Sequence, residues 1–124
     1  MNKGEIFRLK SEFKCKYSPK YYKHPLVFWE QENADFNGIM LTTSDKPKFK
    51  NILMKKEHIE DGYEFKYGKS DEYPNSYMAP LYLLKDVKYE HLKKVGQLSE
   101  EGIEFISNIV PYLEHTDWKT HINK

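Results

Sequence analysis

In the first two thirds of the chain, apolar positions fall in short clusters separated by turn residues; in the last third they take helical spacing. Ile6-Phe7-Arg8-Leu9 follows Gly4 and predicts a first strand. A long polar stretch, 10–24, comes next, with Ser18-Pro19 as its turn signal. Leu26-Val27-Phe28-Trp29 is an unbroken apolar run, the pattern of a strand buried on both faces. Asn37-Gly38 reads as a tight turn leading into a third strand, Ile39-Met40-Leu41-Thr42-Thr43, which Ser44-Asp45-Lys46-Pro47 breaks. Ile52-Leu53-Met54 predicts a fourth strand. Tyr63-Glu64-Phe65-Lys66-Tyr67 alternates with period two and predicts an edge strand within an acidic stretch, 57–73. Tyr77 to Leu84 is a further strand that Pro80 confines to an edge or a bulge.

The last third changes period. Tyr89-Glu90-His91-Leu92 predicts a short helix or turn leading to Gly96. Ser99 is placed as the N-cap of a helix, with Leu98 and Ile103 in staple positions around it. Ile103, Ile106, Ile109, Val110 and Leu113 form an apolar stripe at helical spacing, and Pro111 kinks or ends it. No internal repeat interrupts the order. The pattern predicts one domain over 1–124, mainly β with a C-terminal helix: a small, strongly bent sheet closed by that helix, with 116–124 left as a tail.

Composition supports a packed core. Only 39% of the 124 residues are hydrophobic, but aromatic rings make up 15%, enough to bury a large area in a small domain. Cys15 is the sole cysteine, so no internal disulfide forms, which suits a reducing compartment. The opening residues, Met1 to Glu5, carry no apolar signal core, and no run approaches a membrane span. Cytoplasmic residence is the expectation.

The net charge of +1 conceals an asymmetry. Through Pro25, seven basic residues face only Glu5 and Glu12, so this first fifth carries +5 and the remainder −4. Such a segment suits a local anionic partner, or forms a solvated lysine-rich loop.

Candidate chemistry gathers where that loop becomes strand. His24 is able to exchange protons near neutral pH, and Lys20 and Lys23 beside it favour its neutral, accepting form. In an RNA-cleaving site it suits a base for a 2′-hydroxyl or an acid for a leaving oxygen; otherwise it is an exposed loop histidine. Thr42-Thr43-Ser44 offers three hydroxyls to phosphate oxygens, or simply ends a strand in a turn. Tyr17, Tyr21 and Tyr22 among lysines have the character of a base-stacking, single-strand-binding surface, with at least one ring expected to be structural. His58, His91, His115 and His121 are scattered, His91 and His115 being placed on helix surfaces, and no pair has the spacing of a zinc motif. No phosphate-binding glycine loop or nucleophile elbow is present, so neither metal nor cofactor is expected.

Three blocks, in order, resemble the MazF/PemK family of toxin endoribonucleases. They are Gly4-Glu5-Ile6-Phe7 with the later His24-Pro25-Leu26-Val27-Phe28; Gly38-Ile39-Met40-Leu41-Thr42-Thr43-Ser44; and Lys93-Lys94-Val95-Gly96-Gln97-Leu98-Ser99-Glu100-Glu101. The resemblance implies a small SH3-like barrel of the MazF/CcdB type, usually a homodimer. It also implies metal-independent cleavage of single-stranded RNA by 2′-hydroxyl attack, restrained by an antitoxin protein. The family's catalytic arginine beside proline falls on His24, and its strand-end threonine on Thr43. An arginine clamps phosphate permanently and bidentately; a histidine does neither. Arg8, the only arginine, lies within the first strand and is no obvious substitute. On this resemblance His24 and Thr43 carry catalysis, with Lys20, Tyr21, Tyr22, Lys23 and Ser44 binding substrate. The alternative is a non-catalytic binding module, or a gyrase-poison-like toxin acting through the C-terminal helix with Trp118 as anchor.

Overall fold

The computed structural model describes residues 2–17, 19 and 23–122. Its strands are β1 (Glu5–Leu9), β2 (Leu26–Glu32), β3 (Asp35–Thr42), β4 (Ile52–Leu53), β5 (Tyr77–Met78), β6 (Leu81–Lys85), β7 (Leu92–Gln97) and β8 (Glu114–Asp117). Among the described residues, the α-helices with full bounds are α1 (Glu100–Ile109) and a short α2 (Trp118–Ile122). The strands join in the order β4-β5-β3-β2-β1-β7, with β6 pairing β3 and β8. Every pairing is antiparallel except that of β6 with β8. The chain is therefore a mainly antiparallel sheet with a C-terminal helix. Among the described residues, no helix is long and apolar enough to cross a membrane.

The apolar run of β2 explains the core. Leu26 and Phe28 pack with Phe7 and Phe36 in one cluster, whereas Val27 and Trp29 join Ile6, Ile39 and Leu41 in a second. Alternate side chains of a strand point to opposite faces, so β2 is buried on both, as its unbroken pattern predicts. The second cluster is the larger, and Ile106 of α1 closes it at 0% exposure. Ser99 caps α1 by accepting from the Gly102 N–H at 3.1 Å, and Pro111 follows the last helical residue within a 3₁₀ turn. Pro80 divides the expected Tyr77–Leu84 strand into β5 and β6.

Other expectations are corrected. Asn37-Gly38 is no turn: both residues lie inside β3, and the hairpin turns at Asn33-Ala34, where Asn33 adopts φ 55°. Gly38 is required by close approach instead. A Cβ there would lie 2.8 Å from the Val27 carbonyl oxygen and 2.9 Å from Leu26 Cγ. The segment 63–67 alternates as expected, with Phe65 and Tyr67 packed on the core, yet it is a series of bends. One ladder-like bond, from Phe65 N–H to the Val95 carbonyl at 2.7 Å, ties it to β7. Lys93 to Gln97, read only as the lead-in to the helix, forms most of β7 and pairs with β1. The C-terminal stretch is built into the fold through β8 and α2. Trp118 is only 3% exposed beneath Lys85, whose Nζ sits 3.6 Å from the ring centroid, so it presents no anchor to a partner.

Candidate functional site

The β2–β3 ladder decides which polar groups meet. Leu26 pairs with Met40, and the Leu41 N–H donates to the Pro25 carbonyl at 3.0 Å. Continuing that antiparallel register brings His24, just before β2, alongside Thr42 and Thr43 at the end of β3. A groove of about 360 Å³ opens there. His24, Thr43 and Lys23 line it together, as the sequence anticipates. Arg8 enters from β1, and Glu64, Lys66 and Lys69 enter from the bend segment across the groove. Leu41, Phe65 and Val95 contribute its apolar lining.

Arg8, expected only as a residue within the first strand, lines the groove. The burial pattern of β1 leaves it exposed between buried Phe7 and Leu9. Being inside a strand aims it outward into the groove. Its charge is opposed by partial burial and supported by Glu64. Burial is the main cause that holds the His24 imidazole below its ordinary pKa, and Lys23, Arg8 and His121 push in the same direction. His24 is thus kept neutral at neutral pH, the form able to accept a proton.

The opposite wall is pinned although it lacks a ladder. Besides the Phe65 bond to β7, the Tyr67 hydroxyl donates to the Met54 carbonyl, and the Gly68 N–H donates to Ser76 Oγ at 2.8 Å. Gly68 holds φ 74°, and a Cβ there would lie 2.5 Å from the Pro74 carbonyl oxygen. These contacts fix the backbone that carries Glu64, Lys66 and Lys69, while their side chains remain exposed. Arg8 and Lys93 are Cα partners across β1 and β7, and Glu64 Oε2 lies 3.4 Å from Lys93 Nζ.

Not every candidate reaches the groove. Ser44 does not line it; its N–H donates to Thr42 Oγ1 at 3.1 Å and its carbonyl accepts from Asn51 Nδ2, so it shapes the turn after β3. Lys20, Tyr21 and Tyr22 lie outside the described residues. Tyr17 is structural: its hydroxyl bonds His91 Nδ1 at 2.7 Å. His91 is buried and stacks on Phe13 at 4.0 Å, and His115 belongs to β8 against Tyr82, so neither sits on a helix surface. His58 is buried too, accepting the Lys55 N–H and stacking on Phe105. A wider, shallower depression of about 600 Å³ is lined by Lys56, Glu57, Ile59, Glu60 and Asp61, with no proton-exchanging side chain beside a cation cluster. Among the described residues no three His, Cys, Asp or Glu side chains gather as metal ligands.

The groove contributions of Arg8, Glu64, Lys66 and Lys69 escaped the sequence reading. The alternation of β1 and of 63–67 does place these side chains opposite the core, but nothing in the sequence specifies that the two segments face each other. Comparison of the chain with family models, curated proteins and solved structures finds no match.

Proposed function

We propose that the chain is a toxin-like endoribonuclease that cleaves single-stranded RNA through its 2′-hydroxyl, on a bent sheet of the SH3-like, MazF/PemK type. The observation that carries this reading is one groove joining a neutral histidine, a strand-end threonine, an arginine and several lysines. The neutral His24 takes the 2′-hydroxyl proton as the oxygen attacks the adjacent phosphorus. Arg8, with its planar pair of donors, holds two phosphate oxygens and offsets the charge that builds on them. Thr43 Oγ donates to a phosphate oxygen, and Lys23, Lys66 and Lys69 hold the neighbouring phosphates of the strand. The P–O5′ bond breaks, the leaving oxygen takes a proton from water, and the His24 proton passes to solvent. The products are a 2′,3′-cyclic phosphate and a 5′-hydroxyl. In this reading the arginine role falls to Arg8 from β1, which leaves His24 free for proton transfer. An acidic antitoxin segment occupying the same cationic groove would silence the enzyme, and a homodimer is its working form.

The test is incubation of a single-stranded RNA with the protein in the presence of a chelator, with the fragment ends read by mass spectrometry. Cyclic-phosphate ends that disappear in His24→Ala, and with a 2′-deoxy nucleotide at the scissile position, are the expected result. RNA that binds but stays intact would make the protein a silent binder and end the catalytic reading.

A further inference from the structure

The groove holds one feature that a phosphate site does not need. Among its described lining residues Glu64 is the one carboxylate, set among Arg8, Lys23, Lys66 and Lys69. Its position follows from the sheet. Arg8 and Lys93 stand side by side as Cα partners on β1 and β7, and like charges directly opposite each other repel. Glu64 answers both: its Oε2 lies 3.4 Å from Lys93 Nζ, and its field acts on the Arg8 guanidinium. The backbone behind it is fixed by the bond from Phe65 N–H to the Val95 carbonyl. The side chain is 66% exposed, so rotation about its own bonds lets the carboxylate leave without moving the wall.

We propose that Glu64 is a displaceable carboxylate that fills the phosphate position beside Arg8 in the empty groove, and thereby selects a polyanionic strand over a single free phosphate. The inference rests on the groove being a nucleic-acid phosphate site. An isolated phosphate at Arg8 meets the repulsion of the Glu64 carboxylate, which leaves only by giving up its pair with Lys93. A strand that also reaches Lys23, Lys66 and Lys69 gains contacts that Glu64 does not hold. Exposed ion pairs are individually weak, which makes the exchange easy for the right ligand and unrewarding for the wrong one.

The experiment uses the full chain and a fluorescent single-stranded 2′-deoxy oligonucleotide, which has no 2′-hydroxyl and cannot be cleaved by the proposed route. Anisotropy titrations compare wild type with Glu64→Gln, each also with inorganic phosphate as competitor. The proposal expects Glu64→Gln to bind the oligonucleotide about two- to fivefold more tightly, the range set by one exposed ion pair. It also expects phosphate to become a more effective competitor, and both gains to vanish in the Glu64→Gln/Arg8→Gln double variant. Equal or weaker binding by Glu64→Gln, with wild type binding normally, overturns the displaceable carboxylate and leaves the groove reading standing. No binding by either protein at low salt overturns both. Thermal melts of the variants verify that the comparison is between folded proteins, and Glu64→Ala repeats it if Glu64→Gln melts early.

Discussion

Removing Lys66 and Lys69 together tests the groove without touching the proposed chemistry. Four described cations line it: Arg8, Lys23, Lys66 and Lys69. When a protein neutralises phosphates of a single strand, the logarithm of affinity falls with the logarithm of salt at a slope of about −0.7 for each phosphate met. Contacts by all these side chains give a slope of about −2.8, or about a fiftyfold loss of affinity from 50 to 200 mM salt. The Lys66→Gln/Lys69→Gln variant keeps Arg8 and Lys23, so its slope flattens to about −1.4 and the same salt step costs about sevenfold. Cations outside the groove add equally to both proteins and leave the difference of about 1.4 intact. Both side chains are exposed, so the fold tolerates the change. The assay is anisotropy of a labelled, uncleavable oligonucleotide at several salt concentrations. A double variant with the wild-type slope would place the nucleic acid elsewhere, and the groove would lose its assignment.

Three further outcomes follow from individual contacts. If His24 is the base, kcat/KM for RNA cleavage rises with pH through an apparent pKa below 6.5 and is level at neutral pH, because burial, Lys23 and Arg8 favour the neutral ring; Arg8→Gln moves that limb to higher pH, and a rate that falls over the same range would contradict the assignment. Burial brings the Lys85 ammonium down to about 7, so the unfolded chain binds the extra proton between that value and the ordinary 10.5. The burial penalty is complete below about pH 7, shrinks as pH rises and is gone above the unfolded value. Lys85→Met is therefore more stable than wild type at pH 7, by an amount on the order of a few kcal/mol, with the gap in urea-melt stability closing by pH 10.5; a gap that does not change with pH would refute it. Gly102→Ala ought to strengthen a helix by up to about 1 kcal/mol, yet here its Cβ would lie 2.2 Å from the His58 carbonyl oxygen. That clash is with backbone, so a net destabilisation of about 1–3 kcal/mol and a Tm several degrees lower are expected; an unchanged melt would contradict the close packing of α1.

What was legible in the sequence is what local pattern controls. The apolar run of β2, the Ser99 cap and the stop at Pro111 each follow from side chains acting on their own segment. That His24 and Thr43 share a site was implied only by the resemblance; the physical reason is the β2–β3 register, which sets the start of β2 beside the end of β3. Local signals failed where tertiary contact overrides them. Asn37-Gly38 has turn chemistry, but the glycine is there to let β2 and β3 approach. Lys93 and Lys94 resemble solvated helix lead-in, yet Glu64 and Glu5 neutralise them on the two sides of a paired strand. Arg8 was passed over because a residue within a strand was equated with a residue within the core. Its neighbours Glu64, Lys66 and Lys69 are distant in sequence, and no local pattern announces which sheet edge their segment crosses. The parallel pairing of β6 with β8 is equally non-local, and it is what buries Lys85 and Trp118.

The groove divides precision from adhesion. His24 and Thr43 are placed by the β2–β3 ladder, which is locked on both faces by two packed clusters and at its end by the bond between Leu41 and Pro25. In the proposed reaction small displacements there would separate His24 from the proton it takes, and a ladder buried on both sides permits little displacement. In the proposed function Lys66 and Lys69 need no such exactness, because a lysine holds a phosphate as a point charge on a flexible stem. They sit on a segment whose backbone is pinned by a few bonds, and their own side chains are exposed. Arg8 belongs to both halves: its strand fixes the origin of the guanidinium, while Glu64, whose charge acts on it, is exposed and paired with Lys93. The arrangement accounts for a histidine at the joint of loop and strand. In the proposed function Lys23 supplies charge just before the strand, and the strand supplies the fixed point from which one imidazole is aimed.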